Sequence, residues 1–406
     1  MVDPSNGTIA VENRNLFTDL SDYTLQWSVT ANGRPVAEGT MDLNGTPLTT
    51  SELRIPIPAI TPAEGTEYML NVAALTRNAS ELVPAGHTVA DEQMLLSGDF
   101  FAVKALASAS DVTMDHVKGK HDVPLMRFRS GNVTADIDEL TGLLTAYTVD
   151  GKKLIQSPLR PDFWRAPLDN DFGFGMQIES NVWRTAGERT KLHDLAYDEA
   201  TKTLTAKLII RDINVPLTIT YSFKDNGLID LDVAVDLAGH DDLPEFPRFG
   251  MTTRLNRSLD YVSYYGRGPW ENYVDRSWSS YIGLYHSSVD ELNFEYIRPQ
   301  ENGYRTDVRW MAITDPSNGQ GLLFRGLQGA ISFGASHVET SALDPGLTKK
   351  QMHTVDIDPS NHVVLNIDLG QMGIGGTNSW GEHTLPQYRF TPGESLSYSF
   401  SISPVE

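Results

Sequence analysis

The 406-residue sequence contains no cysteine. This absence excludes disulfide bridges, thiolate metal sites and a cysteine nucleophile, although it leaves the cellular compartment open. Basic residues are also scarce, with 32 Lys and Arg against 53 Asp and Glu and a net charge of -21. A chain of this charge repels nucleic acid and anionic membranes, so neither is expected as a partner, whereas a neutral sugar is compatible with it.

Long apolar runs are missing too. No run approaches the roughly 18 residues that a membrane-spanning helix needs, and the N-terminus has no basic segment followed by the apolar core of a signal peptide. We therefore expect a soluble protein, with cytoplasm and periplasm both open as its location. Because the chain begins within sequence typical of strands and turns, we also expect polypeptide upstream of Met1, with which a signal sequence could have been lost.

Common catalytic and metal-binding motifs are absent as well. The ten histidines show no paired metal spacing, and HExxH, GxSxG, the P-loop and GxGxxG do not occur. Asp169, Asn170 and Asp171 resemble a fragment of a hard-cation site. Calcium takes six or more oxygen ligands, however, and the spaced loop of an EF-hand is missing, so we predict no metal site in this chain.

The first hundred residues have the pattern of short strands. Tyr23 to Val29 alternates apolar and polar residues, as a half-buried strand does, and Asn32-Gly33 then supplies the positive φ angles of a tight hairpin turn. Similar stretches follow with turns between them. This spacing predicts an immunoglobulin-like β-sandwich over residues 1–105 that lacks the usual disulfide and has Trp27 as its core aromatic.

The composition changes after this unit. Residues 1–100 contain four Arg and no Lys against thirteen acidic residues, and the first lysine is Lys104. The small-residue stretch Ala105 to Ser110 is typical of a linker. We place the boundary between Phe101 and Lys120, with a linker over residues 106–120 and a second domain over residues 121–406.

Strand periodicity returns in the second domain and persists to its end. Asp225-Asn226-Gly227 forms a turn signal before Ile229 to Val235, in which apolar residues alternate with Asp. Helical periodicity is scarce, and Glu179 to Arg189 is the best short candidate. About 290 residues of antiparallel strands exceed one small sandwich, so we predict a large all-β domain.

Two stretches of the second domain combine aromatic, amide and charged side chains on loops bent by Gly and Pro. They are GRGPWENYVDR (Gly266 to Arg276) and RPQENGYRTDVRW (Arg298 to Trp310). Aromatic rings stack on the apolar face of a pyranose and polar groups bond its hydroxyls, so the composition suits a sugar-facing surface. It equally suits a buried ion-pair network, because desolvated Arg and Glu persist only when paired. We assign this structural role to Glu271, Asn272, Asp275, Arg276, Glu301, Asn302 and Arg305.

These stretches, together with RPDFWRAPLDNDFG (Arg160 to Gly173) and MGIGGTNSW (Met372 to Trp380), resemble the C-terminal domain of glycoside hydrolase family 2 β-galactosidases. Residues 1–100 resemble the immunoglobulin-like domain that precedes it. The resemblance implies that the second domain is a supersandwich of the galactose mutarotase kind. It also implies that the chain is the C-terminal part of a retaining enzyme that hydrolyses terminal β-D-galactosides such as lactose.

The resemblance further implies roles for particular residues. Trp380 should reach the catalytic pocket and stack against the sugar, on a loop that its glycines allow to project outward. The alternative for Trp380 is a core tryptophan under a Gly-rich turn. Asp162, Trp164 and Arg165 are implied to bind substrate from a loop at the entrance of the pocket.

The catalytic carboxylates are not expected in this chain. A retaining glycosidase needs two of them about 5 to 5.5 Å apart. Glu271 and Glu301 each stand beside Asn in an Arg-rich motif, which favours ion pairing over general-acid work. The resemblance places the catalytic glutamates, and most ligands of the magnesium and sodium that the full enzyme uses, on an upstream (β/α)8 barrel. This chain lacks the alternating strand-helix pattern of such a barrel, so we predict no cofactor here and no activity alone.

The implied partners are a galactoside or related glycan, the catalytic barrel of the same polypeptide, and further copies in a homo-oligomer. Two other functions stay open. One is a mutarotase-like enzyme, in which a His and a Glu would interconvert sugar anomers by proton transfer. It is disfavoured because no His lies inside the four motifs. The other is a stand-alone carbohydrate-binding or structural module.

Overall fold

The computed structural model describes residues 1–103, 108–378 and 380–405. Antiparallel strands dominate it, so the predicted all-β fold class is confirmed. The chain divides into two compact units, one of Met1–Ala105 with Ile282–Leu284 and one of Leu106–Tyr281 with Tyr285–Glu406. None of the helices in the described part of the chain is long and apolar enough to cross a membrane.

The first unit is a β-sandwich. Its strands are β1 Thr8–Glu12, β2 Tyr23–Ala31, β3 Arg34–Asp42, β4 Thr50–Arg54, β5 Glu67–Thr76 and β6 Thr88–Gly98. They pair in the orders β1-β4 and β3-β2-β5-β6. Leu25, Trp27 and Val29 of β2 are buried in a shared apolar core, as their alternation predicts. Asn32 and Gly33 have φ angles of 45° and 77°, which form the predicted hairpin turn between β2 and β3.

The second unit contains two large antiparallel sheets. Its strands are β7 Thr113–Lys118, β8 Pro124–Ser130, β9 Val133–Asp138, β10 Leu144–Val149, β11 Lys152–Ile155, β12 Arg160–Asp162, β13 Thr190–Asp198, β14 Thr203–Ile210, β15 Val215–Phe223, β16 Ile229–Val235, β17 Arg248–Asn256, β18 Tyr261–Gly268, β19 Tyr281–Ser288, β20 Arg305–Val308, β21 Trp310–Thr314, β22 Gly321–Gly326, β23 Ile331–Ser336, β24 His362–Gln371 and β25 Leu396–Pro404. Sheet A runs β20-β23-β24-β17-β11-β10-β9-β8-β7, with β12 also paired to β17, and sheet B runs β13-β14-β15-β16-β25-β22-β21-β18-β19.

The two sheets enclose one core, because each turns its apolar face toward the other. Phe249, Met251 and Leu255 of β17 enter this core from sheet A. Residues Ile229 to Val235 enter it from sheet B at every second position, and Asp230 and Asp232 stand on the opposite face as predicted. The arrangement is the large sandwich that the resemblance implies.

Helices are few and short in the described residues. They are α1 Asp169–Phe174, α2 Met176–Glu179, α3 Val289–Leu292 and α4 Thr340–Leu343, with 3-10 turns at Leu20–Asp22, Phe100–Ala102, Lys120–Asp122, Asn181–Trp183, Ala186–Arg189, Asp225–Gly227, Thr354–Asp356 and Pro386–Tyr388. The helix predicted from Glu179 to Arg189 is wrong, since this stretch consists of separate turns. Tertiary packing determines the conformation of this stretch, because Trp183 is buried and its indole N–H donates to the Pro244 carbonyl at 2.9 Å.

The predicted linker over residues 106–120 is wrong in its second half. Residues Thr113–Lys118 form β7, which pairs with β8 at the edge of sheet A, and Val112 is buried in the core. An edge strand exposes most of its side chains and therefore carries little apolar periodicity in its sequence. Leu106 and Ala107, at the start of the predicted linker, lie outside the described residues.

Candidate functional site

The candidate site is built around the loop that follows β24, from Met372 to Trp380. Gly375 and Gly376 adopt φ angles of 70° and 90°, which side chains other than glycine rarely accept. The Asp275 carboxylate accepts the backbone N–H of Ile374 at 3.0 Å and that of Gly375 at 2.9 Å. A Cβ at Gly373 would lie 2.5 Å from this carboxylate, so only glycine permits the close approach.

A buried arginine also forms hydrogen bonds with this loop. Arg165 is fully buried and donates to the carbonyls of Met372 at 2.8 Å and Gly373 at 3.1 Å. Its charge is balanced by Asp171, 2.8 Å away and also fully buried. The prediction that Arg165 binds substrate from an entrance loop is therefore wrong, because a desolvated guanidinium with these partners is closed to a sugar.

Helix α1 packs alongside the loop. Asn170 donates its side-chain amide to the Ile374 carbonyl at 3.0 Å, and the rings of Phe174 and His383 stack with centroids 4.4 Å apart. Gly173 approaches Gly381 so closely that a Cβ on Gly173 would lie 3.1 Å from the Gly381 Cα. The end of the RPDFWRAPLDNDFG motif and the loop that carries Trp380 thus form one surface.

Trp380 projects from this surface. Its side chain is 87% exposed, as predicted, and its backbone N–H donates to the Asn378 side chain at 2.8 Å. The alternative of a core tryptophan under a Gly-rich turn is wrong for this structure. Its role as a sugar platform stays a prediction.

Glu271 of the GRGPWENYVDR stretch and Glu301 of the RPQENGYRTDVRW stretch both accept hydrogen bonds from neighbouring loops and strands. Glu271 accepts hydrogen bonds from Tyr296 and Arg276, and from the backbone N–H of Gly303 at 2.8 Å. Glu301, only 8% exposed, accepts from Arg248 at 3.2 Å and from Gln371 at 3.0 Å. Neither carboxylate is free to serve as acid, base or nucleophile.

The other members of the predicted structural set hold loops to the sheets. The buried Asn272 amide donates to the Trp270 carbonyl at 2.9 Å and accepts the Thr306 backbone N–H at 2.9 Å. Asn302 accepts the Phe294 backbone N–H at 3.0 Å. Arg305 donates to the Tyr264 hydroxyl and the Gly303 carbonyl, each at 3.1 Å. These contacts have the form of the ion-pair and amide network that the sequence also allowed.

Comparison with known proteins identifies the family. Residues 129–402 match the family model described as beta galactosidase small chain, and residues 9–97 match that described as beta-galactosidase, domain 4. The chain belongs to the β-galactosidase small-chain family. This membership agrees with the resemblance carried by its four motifs.

Curated β-galactosidases are similar along the whole chain. The enzyme of Priestia megaterium is 30% identical over 409 residues, covering 100% of this chain and 38% of that protein. The enzyme of Streptococcus thermophilus is 27% identical over 403 residues, covering 98% of this chain and 37% of that protein. The chain thus spans little more than a third of the length of these relatives.

Solved structures with similar architecture come from mutarotase-related proteins. A galactose mutarotase-like protein of Clostridium acetobutylicum aligns at 11% identity and a TM-score of 0.41, covering 73% of this chain and 99% of that chain. A galactose mutarotase-related enzyme of Lactobacillus acidophilus aligns at 9% identity and a TM-score of 0.39, covering 72% of this chain and 98% of that chain.

Within this small-chain domain, sequence reasoning missed the centre of the buried network. Arg248 of β17 lies 3.0 Å from Asp162, 3.2 Å from Glu301 and 3.2 Å from Asp368, and all four side chains are largely or fully buried. Tyr304 donates its hydroxyl to Asp368 at 2.8 Å. A usable signal was present, since Asp368 is a lone acidic residue inside the apolar strand HVVLNIDLGQ.

Asp162 and Trp164 also differ from their predicted entrance-loop positions. Asp162 belongs to β12 of sheet A and accepts the Asn366 amide at 2.9 Å as well as Arg248. Trp164 is 3% exposed, and its indole N–H donates to Asp344 at 2.8 Å. The first part of the motif is therefore a strand followed by a buried turn, and the mixed prolines and charges that suggested a loop are satisfied by the sheet.

The residues Asp169, Asn170 and Asp171 at the start of α1 are not arranged as ligands of one metal ion. Asp169 pairs with Arg298 at 2.8 Å and Lys349 at 2.6 Å, whereas Asp171 pairs with Arg165. Asn170 is bonded to the loop. The three side chains have separate partners, and no group of three or more His, Asp or Glu side chains among the described residues has metal-binding geometry.

Proposed function

We propose that this chain is the C-terminal, non-barrel part of a retaining β-galactosidase of glycoside hydrolase family 2, and that it completes the substrate pocket with Trp380. Hydrolysis of terminal β-D-galactosides is carried out by a catalytic barrel elsewhere in the same polypeptide. The observation that carries the proposal is an 87% exposed indole on a loop that is anchored by the buried Arg165 and by Asp275.

The anchoring suits a binding platform. Asp275 accepts hydrogen bonds from two backbone N–H groups of the loop, and Arg165 donates to two of its carbonyls. A side chain on a support of this kind loses little freedom when a ligand binds, so more of the contact energy appears as affinity. The indole then offers its face to the apolar face of a galactose ring.

Catalysis is assigned to the rest of the polypeptide because Glu271 and Glu301 are already bonded to arginines. A retaining mechanism needs one carboxylate free to attack and a second free to transfer a proton. The magnesium and sodium of the full enzyme are likewise proposed to be bound mainly by residues outside this chain, whereas this chain is proposed to contribute contacts in a homo-oligomer. The chain alone supplies binding and orientation.

The test compares two exposed tryptophans in the full-length polypeptide. Trp380→Ala is expected to weaken galactoside binding by roughly 1 to 3 kcal/mol, the scale of losing one stacking anchor. Trp278, which is 84% exposed on another loop, provides the matched control Trp278→Ala. Hydrolysis of an aryl β-galactoside gives kcat and KM for each variant.

Two results would contradict the proposal. Equal kinetics for the two variants would remove Trp380 from the pocket. Turnover of the aryl galactoside by the isolated 406-residue chain, abolished by Glu271→Gln or Glu301→Gln, would place catalysis inside this chain.

A further inference from the structure

A polar cavity lies on the face of sheet A that points away from the core. At this face β17 presents Thr252 and Arg254, and β24 presents Val364 and Asn366. The outer face of an antiparallel sheet is ordinarily solvated. Here Thr252, Val364 and Asn366 are only 5%, 6% and 5% exposed, because other segments cover the sheet.

The cover leaves an open cavity of about 360 Å³. Small-molecule sites in proteins measure roughly 300 to 1,000 Å³. Strands β12, β17 and β24 of sheet A contribute five of its lining residues, and loops and short helices, including the start of α4 at Thr340 and Ser341, contribute the rest. The sheet holds the lining residues of its strands in place.

The walls of the cavity alternate in charge. Arg254 and Glu339 form a bidentate ion pair, in which Nε and Nη2 of the arginine each lie 2.7 Å from a carboxylate oxygen. Arg160 forms a second ion pair with Glu188 at 3.1 Å. Arg184 forms an ion pair with Asp344 through a single contact. The lining therefore contains cations and carboxylates in near balance and gives a charged ligand no net partner.

The one tryptophan ring in the lining is already covered. The Arg184 guanidinium lies 4.5 Å from the centre of the Trp164 ring. A ligand therefore meets guanidinium donors, carboxylate acceptors and the hydroxyls of Thr340 and Ser341. Recognition by hydrogen bonds rather than ring stacking distinguishes this cavity from Trp380.

We propose that this cavity is a second carbohydrate site, which binds one neutral pyranose through its hydroxyl groups. A sugar hydroxyl both donates and accepts, so adjacent hydroxyls match walls of alternating sign. A neutral ring also avoids displacing any of the existing ion pairs. The proposal does not depend on the role of Trp380.

The cavity suits binding rather than anomer interconversion. Burial alone would raise the pKa of Glu339, but hydrogen bonds from Arg254 and from His362, 2.6 Å away, lower it overall. A carboxylate held ionised in this way is a weak base, and proton transfer works best with a pKa near the working pH.

The test is calorimetric titration of the 406-residue chain with methyl β-D-galactopyranoside and methyl β-D-glucopyranoside, with galacturonate and glucosamine as charged probes. Ser341 lies exposed on the rim, so Ser341→Trp fills the cavity mouth without disturbing the core. Thr201→Trp, in an exposed turn of sheet B, is the matched control. Saturable binding of a neutral pyranoside is expected in the wild type and in Thr201→Trp and is expected to be lost in Ser341→Trp.

A second variant tests the proposal independently, in case Ser341→Trp does not fold. Glu339→Gln keeps the shape of the wall and removes a charged acceptor, and affinity should fall about tenfold or more. Thermal melting of each variant confirms that it is folded. Absence of saturable binding in the wild type, equal binding by Ser341→Trp, or tighter binding of either charged probe overturns the proposal.

Discussion

At the scale of single residues, Asp368 has a strongly perturbed environment. Burial raises its pKa to about 8, against the opposing effect of Arg248 and with support from the charges of Asp162 and Glu301. An unfolded Asp titrates at about 3.9. The folded protein therefore holds the Asp368 proton more tightly than the unfolded chain does, and the stability gained from it is complete below pH 4.

This environment predicts a pH-dependent stability difference. As pH rises from about 4 to about 8, the contribution of Asp368 to the unfolding free energy is lost, on the order of a few kcal/mol. Asp368→Asn cannot ionise and should lack this loss, so it should gain stability relative to wild type as pH rises. Urea unfolding at several pH values measures the difference, and exposed Asp242→Asn serves as the control. A difference that is flat with pH would show that Asp368 is ionised in the fold.

Two tryptophans allow a second prediction at this scale. Trp380→Ala should change the unfolding free energy of the chain by about 0.5 kcal/mol or less, because the side chain is exposed. Trp183→Ala should lower it by about 3 to 5 kcal/mol, since the ring is 1% exposed and packs in the core. Thermal and urea unfolding separate the two cases. A large destabilisation by Trp380→Ala would identify that indole as structural.

At the scale of elements, the loop from Met372 to Trp380 is held by charges that come from other motifs. Asp275 belongs to the GRGPWENYVDR stretch and Arg165 to RPDFWRAPLDNDFG, and both bond the backbone of this loop. Glu301 of RPQENGYRTDVRW joins through Gln371, the last residue of β24. The four motifs are therefore one assembly, and the loop conformation depends on all of them.

Asp275 gives the test of this dependence. Each backbone N–H bonded to a charged acceptor contributes about 1.5 to 3 kcal/mol, and Asp275→Ala removes the acceptor of two. Hydrogen exchange in residues 372–378 should become much faster while the strands of sheet A keep their protection. Asp169→Ala, which removes ion pairs of a 57% exposed side chain, should leave exchange in these residues unchanged. Equal exchange in wild type and Asp275→Ala would mean that other contacts hold the loop.

At the scale of the whole molecule, the second unit encloses its own core, so it should fold without the first. The corrected position of β7 makes this prediction specific. A fragment of residues 108–406 should be soluble and should melt cooperatively. A fragment of residues 122–406 lacks β7 and the buried Val112, exposes the edge of β8, and should melt at a lower temperature.

Limited proteolysis and thermal melting check this prediction. Cleavage is not expected within β7, because its residues are paired with β8. Failure of the 108–406 fragment to fold would show that the second unit needs the first. Equal melting temperatures for the two fragments would show that β7 adds nothing to sheet A.

The sequence by itself determined the strands with alternating side chains, the hairpin turns and the family. Alternation in stretches such as Tyr23 to Val29 and Ile229 to Val235 reports burial of every second side chain, and Asn32-Gly33 reports a backbone that few other residues adopt. These properties depend on neighbours in the chain. The exposure of Trp380 also followed from its motif.

Only the tertiary structure decided which charged residues are buried and what they bind. Arg165 donates to a carbonyl 207 positions away in the sequence. Arg248 contacts carboxyl groups from β12, from β24 and from the RPQENGYRTDVRW stretch. A guanidinium looks the same in a sequence whether it faces solvent or a buried carboxylate, because its desolvation depends on segments that fold over it. For the same reason the cavity between α4 and sheet A, whose lining comes from segments scattered along the chain, has no signature in any one stretch of the sequence.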